Sequence, residues 1–185
     1  MIDSKLVSHI QREQDRWREI LKALLDIIMF CAQNNMPLRG HHEVIGQSGS
    51  GVFLGLCKLI SHYYPAMATH LERCKNNPHS TNYLSHDIQN EFISLLGSSV
   101  RQEIIKEIEK AKYYAILFDC TPDISHKEQM CQIIRYVEIT GSEVKIVERF
   151  IDFIQIEKKE SGANLAEYIV KKLKSDGIDL QNCRY

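Results

Sequence analysis

The sequence predicts an α+β chain, with an all-helical region over residues 1–111 followed by a β-β-β-α region over 112–185. Three observations carry this. Apolar residues recur at helical spacing as far as Ala111, the period then becomes extended, and a compact Thr140-Gly141-Ser142 connection joins two strand-like runs.

Within the helical region, Leu6, Ile10, Trp17, Ile20, Leu21, Leu24, Ile28 and Cys31 mark one buried face of an amphipathic helix over 6–31. Gln33-Asn-Asn-Met-Pro37 stops it, because Asn favours turns and proline cannot continue a helix. Arg39-Gly-His-His-Glu43 reads as a loop. Gly46-Gln-Ser-Gly-Ser-Gly51 has the glycine spacing of a phosphate-binding loop, but Val52 and Phe53 stand where Lys and Ser/Thr are required, so it reads as a flexible lead into a helix over 52–64. Pro65 opens a shorter helix. A polar linker at 75–81 follows, and Ser85 caps a helix over 86–111 whose apolar face runs Ile88, Phe92, Leu95, Leu96, Val100, Ile104, Ile108.

Beyond Ala111, the run 113–118 is short, apolar and rich in aromatic and branched residues, as a buried strand requires, and ends at Asp119. A second strand covers 130–139 and a third 143–156; so tight a connection makes them antiparallel. Ser161 caps a helix over about 162–175, ended by Gly177.

Composition narrows function. With 23 basic against 24 acidic side chains the net charge is -1, so the chain lacks the basic excess that non-specific nucleic-acid binding needs. Six scattered cysteines without a CxxC pair, and no apolar leader or membrane-length run, point to a reducing, intracellular setting without a membrane. His41 and His42 have no cysteine pair at finger spacing and read as loop histidines. Trp17 reads as core, and Arg135 as a wet-face or salt-bridged strand residue.

Asp119 holds the chemical interest. A carboxylate at the end of a rigid strand suits a hard cation such as Mg²⁺. By the residues alone, Asp119 and Asp123 serve equally as turn-forming aspartates.

The run Tyr113-Tyr-Ala-Ile-Leu-Phe-Asp-Cys-Thr-Pro-Asp-Ile-Ser-His-Lys-Glu-Gln-Met-Cys-Gln-Ile-Ile-Arg-Tyr-Val137 resembles the signature of hAT-like transposase relatives that include the zinc finger MYM-type protein 1-like group. Upstream, Phe30-Cys-Ala-Gln-Asn-Asn-Met-Pro-Leu-Arg-Gly-His-His-Glu43, Gly51-Val-Phe-Leu54 and Ile88-Gln-Asn-Glu91 are similar to that group's motifs. Downstream, Val147-Glu-Arg-Phe150, Ser161-Gly-Ala163 and Asp176-Gly-Ile178 follow in order. Val52 departs from the Asn usual in the relatives.

The resemblance implies that 112–185 is the first half (β-β-β-α) of an RNase H-like fold, with Asp119 as the first acid of a DDE triad and a ligand of Mg²⁺ or Mn²⁺ in the complete site. The relatives' second aspartate and later glutamate lie beyond Asn182-Cys183-Arg184. The expectation is therefore a truncated or domesticated transposase-derived protein, catalytically incompetent alone and binding no metal as it stands. The alternative is an interaction module, a transcriptional repressor or scaffold. DNA is the full-length family's partner, the resemblance implies a nuclear location, and a second copy or another protein is the expected partner here. The implied strand order leaves one edge of 113–118 open, so self-association is expected, with Leu117→Lys improving solubility while weakening the core.

Overall fold

A computed structural model describes residues 4–77, 80–122, 128–156 and 162–184, with the backbone alone at 120–122, 128 and 156. The element order is α1 (Ser4–Gln33), α2 (Gly51–Ser61), α3 (Pro65–Asn76), α4 (His86–Ala111), β1 (Tyr114–Pro122), β2 (Glu128–Thr140), β3 (Glu143–Ile156) and α5 (Gly162–Ser175), then a 3₁₀ turn at Leu180–Asn182. The architecture is α+β, as the periodicity predicts. The chain divides into two compact units, Met1–Leu96 and Gly97–Tyr185. The division falls inside α4, whereas helix gives way to sheet after Ala111.

In the first unit, α1 buries Ile20, Leu24, Ile27, Ile28 and Cys31, a stripe repeating every three to four residues. They meet Phe53, Leu54 and Cys57 of α2, Met67 and Leu71 of α3, and Leu84. Each large side chain so buried contributes roughly 1.5–3 kcal/mol. The stripe does not extend over the whole predicted helix: Leu6 and Ile10 are exposed. Helical spacing fixes which residues share a face, but only a neighbour decides how much of that face is covered.

Beside this core, His70 is buried and its Nε2 lies 2.8 Å from the Asn82 carbonyl, so Nε2–H donates. Trp17 packs edge-on to both His70 and Tyr83 and carries the Arg16 guanidinium 4.6 Å above its ring. Burial pushes the His70 pKa below its ordinary 6.5; the Asn82 carbonyl opposes this, and Arg16 and Arg73 add to it. The unfolded chain thus binds more protons than the folded one just below that value. Stability is full above about pH 6.5 and is lost as pH falls through the lower folded pKa. Urea unfolding followed by Trp17 fluorescence should show a midpoint that drops between about pH 7 and about pH 5. His70→Gln, which retains a donor for Asn82 without titrating, should flatten that slope.

The segment at 39–51 is not a flexible lead. His41 N–H and His42 N–H both donate to the Gly49 carbonyl, at 2.8 and 3.2 Å, and Phe53 N–H donates to the Leu38 carbonyl at 3.0 Å. Gly49 and Gly51 have φ of 80° and 86°, which glycine adopts without strain. The backbones of Gly40 and Gly51 meet so closely that a Cβ on Gly40 would stand 2.0 Å from the Gly49 oxygen.

The second unit is a sheet of order β1-β2-β3, antiparallel throughout. Its core joins Ile108 of α4, Tyr114, Ile134, Tyr136, Ile151, Leu173 of α5 and Ile178. The apolar stripe of α4 is therefore shared: Phe92 and Leu96 pack in the first unit's core and Ile104 and Ile108 in the second's, while Leu95 and Val100 stay exposed. Gly141, at φ 62°, makes the tight β2–β3 turn. Gly177, at φ 77°, ends α5 and lets Ile178 N–H reach the Leu173 carbonyl at 3.0 Å. Ser161, the expected cap, lies outside the described residues.

A register shift between Gln132 and Ile133 leaves Ile151 as the extra residue of β3. Such a bulge turns the side chains that follow onto the opposite face. Ile151 is thereby buried, while Phe150 and Phe153 share the outer face, ring centroids 4.7 Å apart.

On the inner side, Arg101 of α4 binds Asp176, beyond the end of α5, and reaches Asp152 of β3 at 3.5 Å. Lys172 Nζ lies 2.8 Å from Asp152 and 3.6 Å from Asp176, whose side chain is only 4% exposed. The free edge of β1 is engaged at its start: Cys183 forms a parallel bridge with Tyr114, and Arg184 N–H donates to the Tyr114 carbonyl at 2.9 Å. This corrects the expectation of an edge open along its whole length.

Candidate functional site

Asp119 lies within β1, not at its end. The ladder with β2 continues through Asp119↔Cys131 to Pro122↔Glu128, because β2 begins two residues earlier than its apolar run suggests. Strand alternation places Tyr114 and Ile116 toward the core, so Ala115, Leu117 and Asp119 share the outer face. Leu117→Lys would consequently charge the outer face and leave the core's packing in place.

Along its row Asp119 faces Cys131, which in turn faces Phe153; the adjacent row is Leu117, Ile133 and Phe150. Asp119 is exposed. It thus sits at one end of a largely apolar face. The other charges there, Arg135 and Glu148, face each other across β2 and β3 and pair with Nε to Oε1 at 2.7 Å. This pairing accounts for both residues and leaves Glu148 committed to a cation on its own sheet.

Among the described residues, no three His, Cys, Asp or Glu side chains converge in a way that could hold a metal ion. Asp123, the other carboxylate of the segment, lies outside the described residues. The described residues therefore do not fit a two-metal centre, which needs carboxylates from separate elements around cations roughly 3.5–4 Å apart.

In the first unit the motif segments meet one another. Arg39 Nη2 binds the Asn90 side chain and reaches the His86 carbonyl at 3.4 Å, while Phe53 N–H holds Leu38. His86 sits between two carboxylates, Nδ1 3.0 Å from Glu43 and Nε2 3.0 Å from Asp87. Sequence reasoning found these motifs but missed their mutual contact. The one available signal was that Arg39, Gly51 and Asn90 all fall in motif segments although Pro65 and the polar stretch after it separate them.

Among the described residues, no helix is long and apolar enough to cross a membrane. The chain is similar to the "52 kDa repressor of the inhibitor of the protein kinase" of Homo sapiens, 22% identical over 179 residues, covering 93% of this chain and 22% of the relative. The Mus musculus protein of that name is likewise 22% identical over 184 residues, with the same coverage. The chain thus spans about a fifth of the length of these curated relatives. No solved structure matches. The model of the ZMYM1/FAM200, RNase-like domain family matches residues 1–184, from the Arg39 and Asn90 segments through the Asp119 strand to Arg184. Together with the α+β order and the motifs held in contact, this shows that the chain belongs to the ZMYM1/FAM200, RNase-like domain family, a transposase-derived lineage.

Proposed function

We propose that this chain is a domesticated, transposase-derived module that acts by binding, in DNA-linked repression, rather than by cutting or joining DNA on its own. The observation that carries this reading is the setting of Asp119: an exposed carboxylate on a largely apolar sheet face, whose described neighbours on that face include Leu117, Cys131 and Phe153. In this reading Asp119 corresponds to the first acid of a DDE triad. A complete site would take Mg²⁺ or Mn²⁺ only with carboxylates contributed from outside the described residues. The repressor relatives favour a nuclear setting with DNA or protein partners.

The test has two arms. The purified chain with supercoiled plasmid and Mg²⁺ or Mn²⁺ should nick no faster than buffer, and Asp119→Ala should change nothing. Fused to an unrelated DNA-binding domain, the chain should lower expression of a reporter carrying that domain's sites, with or without Asp119. Metal-dependent nicking that disappears in Asp119→Ala would overturn the binding reading in favour of an active nuclease site.

A further inference from the structure

We propose that the cleft between α1, the last turn of α3 and residues 80–81 is a binding site for a phosphate group, whether free or in a nucleic-acid backbone. The cleft holds about 410 Å³, and every described residue lining it belongs to the first unit, so its walls are set by that unit's own packing. Two of them are anchored. His70 is 2% exposed, with Nε2–H committed to the Asn82 carbonyl, and Trp17 stands edge-on to both His70 and Tyr83. Asp119 lies in the other unit, so the site stands or falls independently of how that carboxylate acts.

Charge and hydrogen bonding select the ligand. Among the described residues, two guanidiniums and no carboxylate line the cleft. Arg16 gives Nε and Nη2 to Glu13 at 3.1 and 2.7 Å, and Arg73 Nη1 reaches the same Glu13 oxygen at 3.9 Å. One acid therefore serves two arginines and leaves a positive charge over. Arg16 lies over the Trp17 ring, and its remaining nitrogen, Nη1, is buried and makes no hydrogen bond. A buried charged donor without an acceptor is costly enough to call for one. The Asn77 amide and the Thr81 hydroxyl, both on exposed residues, add neutral donors. The α3 dipole opposes an anion at this end. Against it, Ser80 N–H and Oγ both donate to the Asn77 carbonyl, at 3.0 and 2.8 Å, and Arg73 sits in the last turn. Donors thus come from three elements, more than the two oxygens of a planar carboxylate can meet, whereas a phosphate offers its oxygens tetrahedrally and matches arginine forks.

Trp17 is the chain's one tryptophan, so its emission reports the cleft. Titration with inorganic phosphate should change that emission with half-saturation on the order of 1 mM, the strength of two or three charge-assisted bonds. Sodium acetate at equal ionic strength should not. Arg73→Gln, at a half-exposed side chain, should raise the half-saturating concentration about tenfold with far-UV circular dichroism unchanged. Lys58→Gln, the same loss of charge on α2 and outside the cleft, should leave it unaltered. A short DNA duplex separates the two sources. Saturation below the phosphate concentration, weakened by Arg73→Gln, supports the site as one for a nucleic-acid backbone; an intact phosphate response without a duplex response supports it as one for a small phosphate compound. Sulfate, doubly charged across the range, should also raise the His70 titration midpoint more than acetate does, because a bound anion offsets the Arg16 and Arg73 charges that push it down. The resonance is the one lost in His70→Gln. The proposal is overturned by no phosphate response, by one that acetate matches, by one that Arg73→Gln leaves intact, or by a His70 midpoint that sulfate does not move.

Discussion

Gly40→Ala should destabilise the amino-terminal unit by about 3 kcal/mol or more, read as a fall in the urea midpoint followed by Trp17 fluorescence. The new methyl would stand 2.0 Å from the Gly49 oxygen and 2.4 Å from the Gly51 nitrogen, both backbone atoms. No side-chain rotation relieves such contacts. The Gly49 carbonyl also accepts from His41 and His42, so a shift large enough to admit the methyl breaks the hydrogen bonds that hold 39–42 against the start of α2. Gly55→Ala is the control: nothing lies within 4 Å of its Cβ, and it sits inside α2. Alanine there should stabilise by up to about 1 kcal/mol through helix propensity. Equal losses from both substitutions would show that the clasp at 39–51 is not a fixed part of the fold.

Asp176→Ala should cost the second unit about 1.5–3 kcal/mol, because it removes a buried carboxylate from charge-assisted bonds while Arg101 and Lys172 keep Asp152. Arg101 would keep only Asp152, at 3.5 Å, and Lys172 would share that same carboxylate. The elements so uncoupled are α4, β3 and the end of α5. Hydrogen exchange should report the loss as faster exchange of the β2 and β3 amides, with α1 and α2 unaffected. Lys171→Ala removes only the exposed pair with Glu167 on the same helix and should leave exchange unchanged. Unaltered protection in Asp176→Ala would mean that the apolar core alone fixes these elements.

Features that depend on neighbouring residues were readable from sequence. The start at Pro65, the Gly141 turn and the Gly177 stop each follow from one residue's allowed dihedral angles, and all three stand as expected. Features that depend on distant residues were not. The extra residue Ile151 reverses which β3 side chains face outward, and nothing in the alternation around it announces that one position is skipped. The Gly40–Gly51 contact likewise is made by backbones, which carry no composition signal. The position of Asp119 shows both sides. Its residue type and motif marked it as the candidate acid, but whether it ends a strand or lies within one was set by β2, which pairs on as far as Glu128. The α4 stripe was legible as a face and not as two half-faces serving separate cores, because periodicity measures direction around a helix and not what lies opposite.

The hold of Cys183 and Arg184 on Tyr114 bears on how the protein is made. The first unit completes its core from residues no later than Leu96, so it can form while later residues are still being synthesised. The sheet unit cannot. Tyr114 hydrogen-bonds through its hydroxyl to the Asp179 carbonyl and through its own carbonyl to Arg184 N–H, and Ile178 completes its core. Until residues 178–184 leave the ribosome, Tyr114 lacks the partners that hold the start of β1. Slow synthesis of that stretch, or any pause within it, would lengthen the time over which neighbouring nascent chains can pair with β1 through its exposed amides.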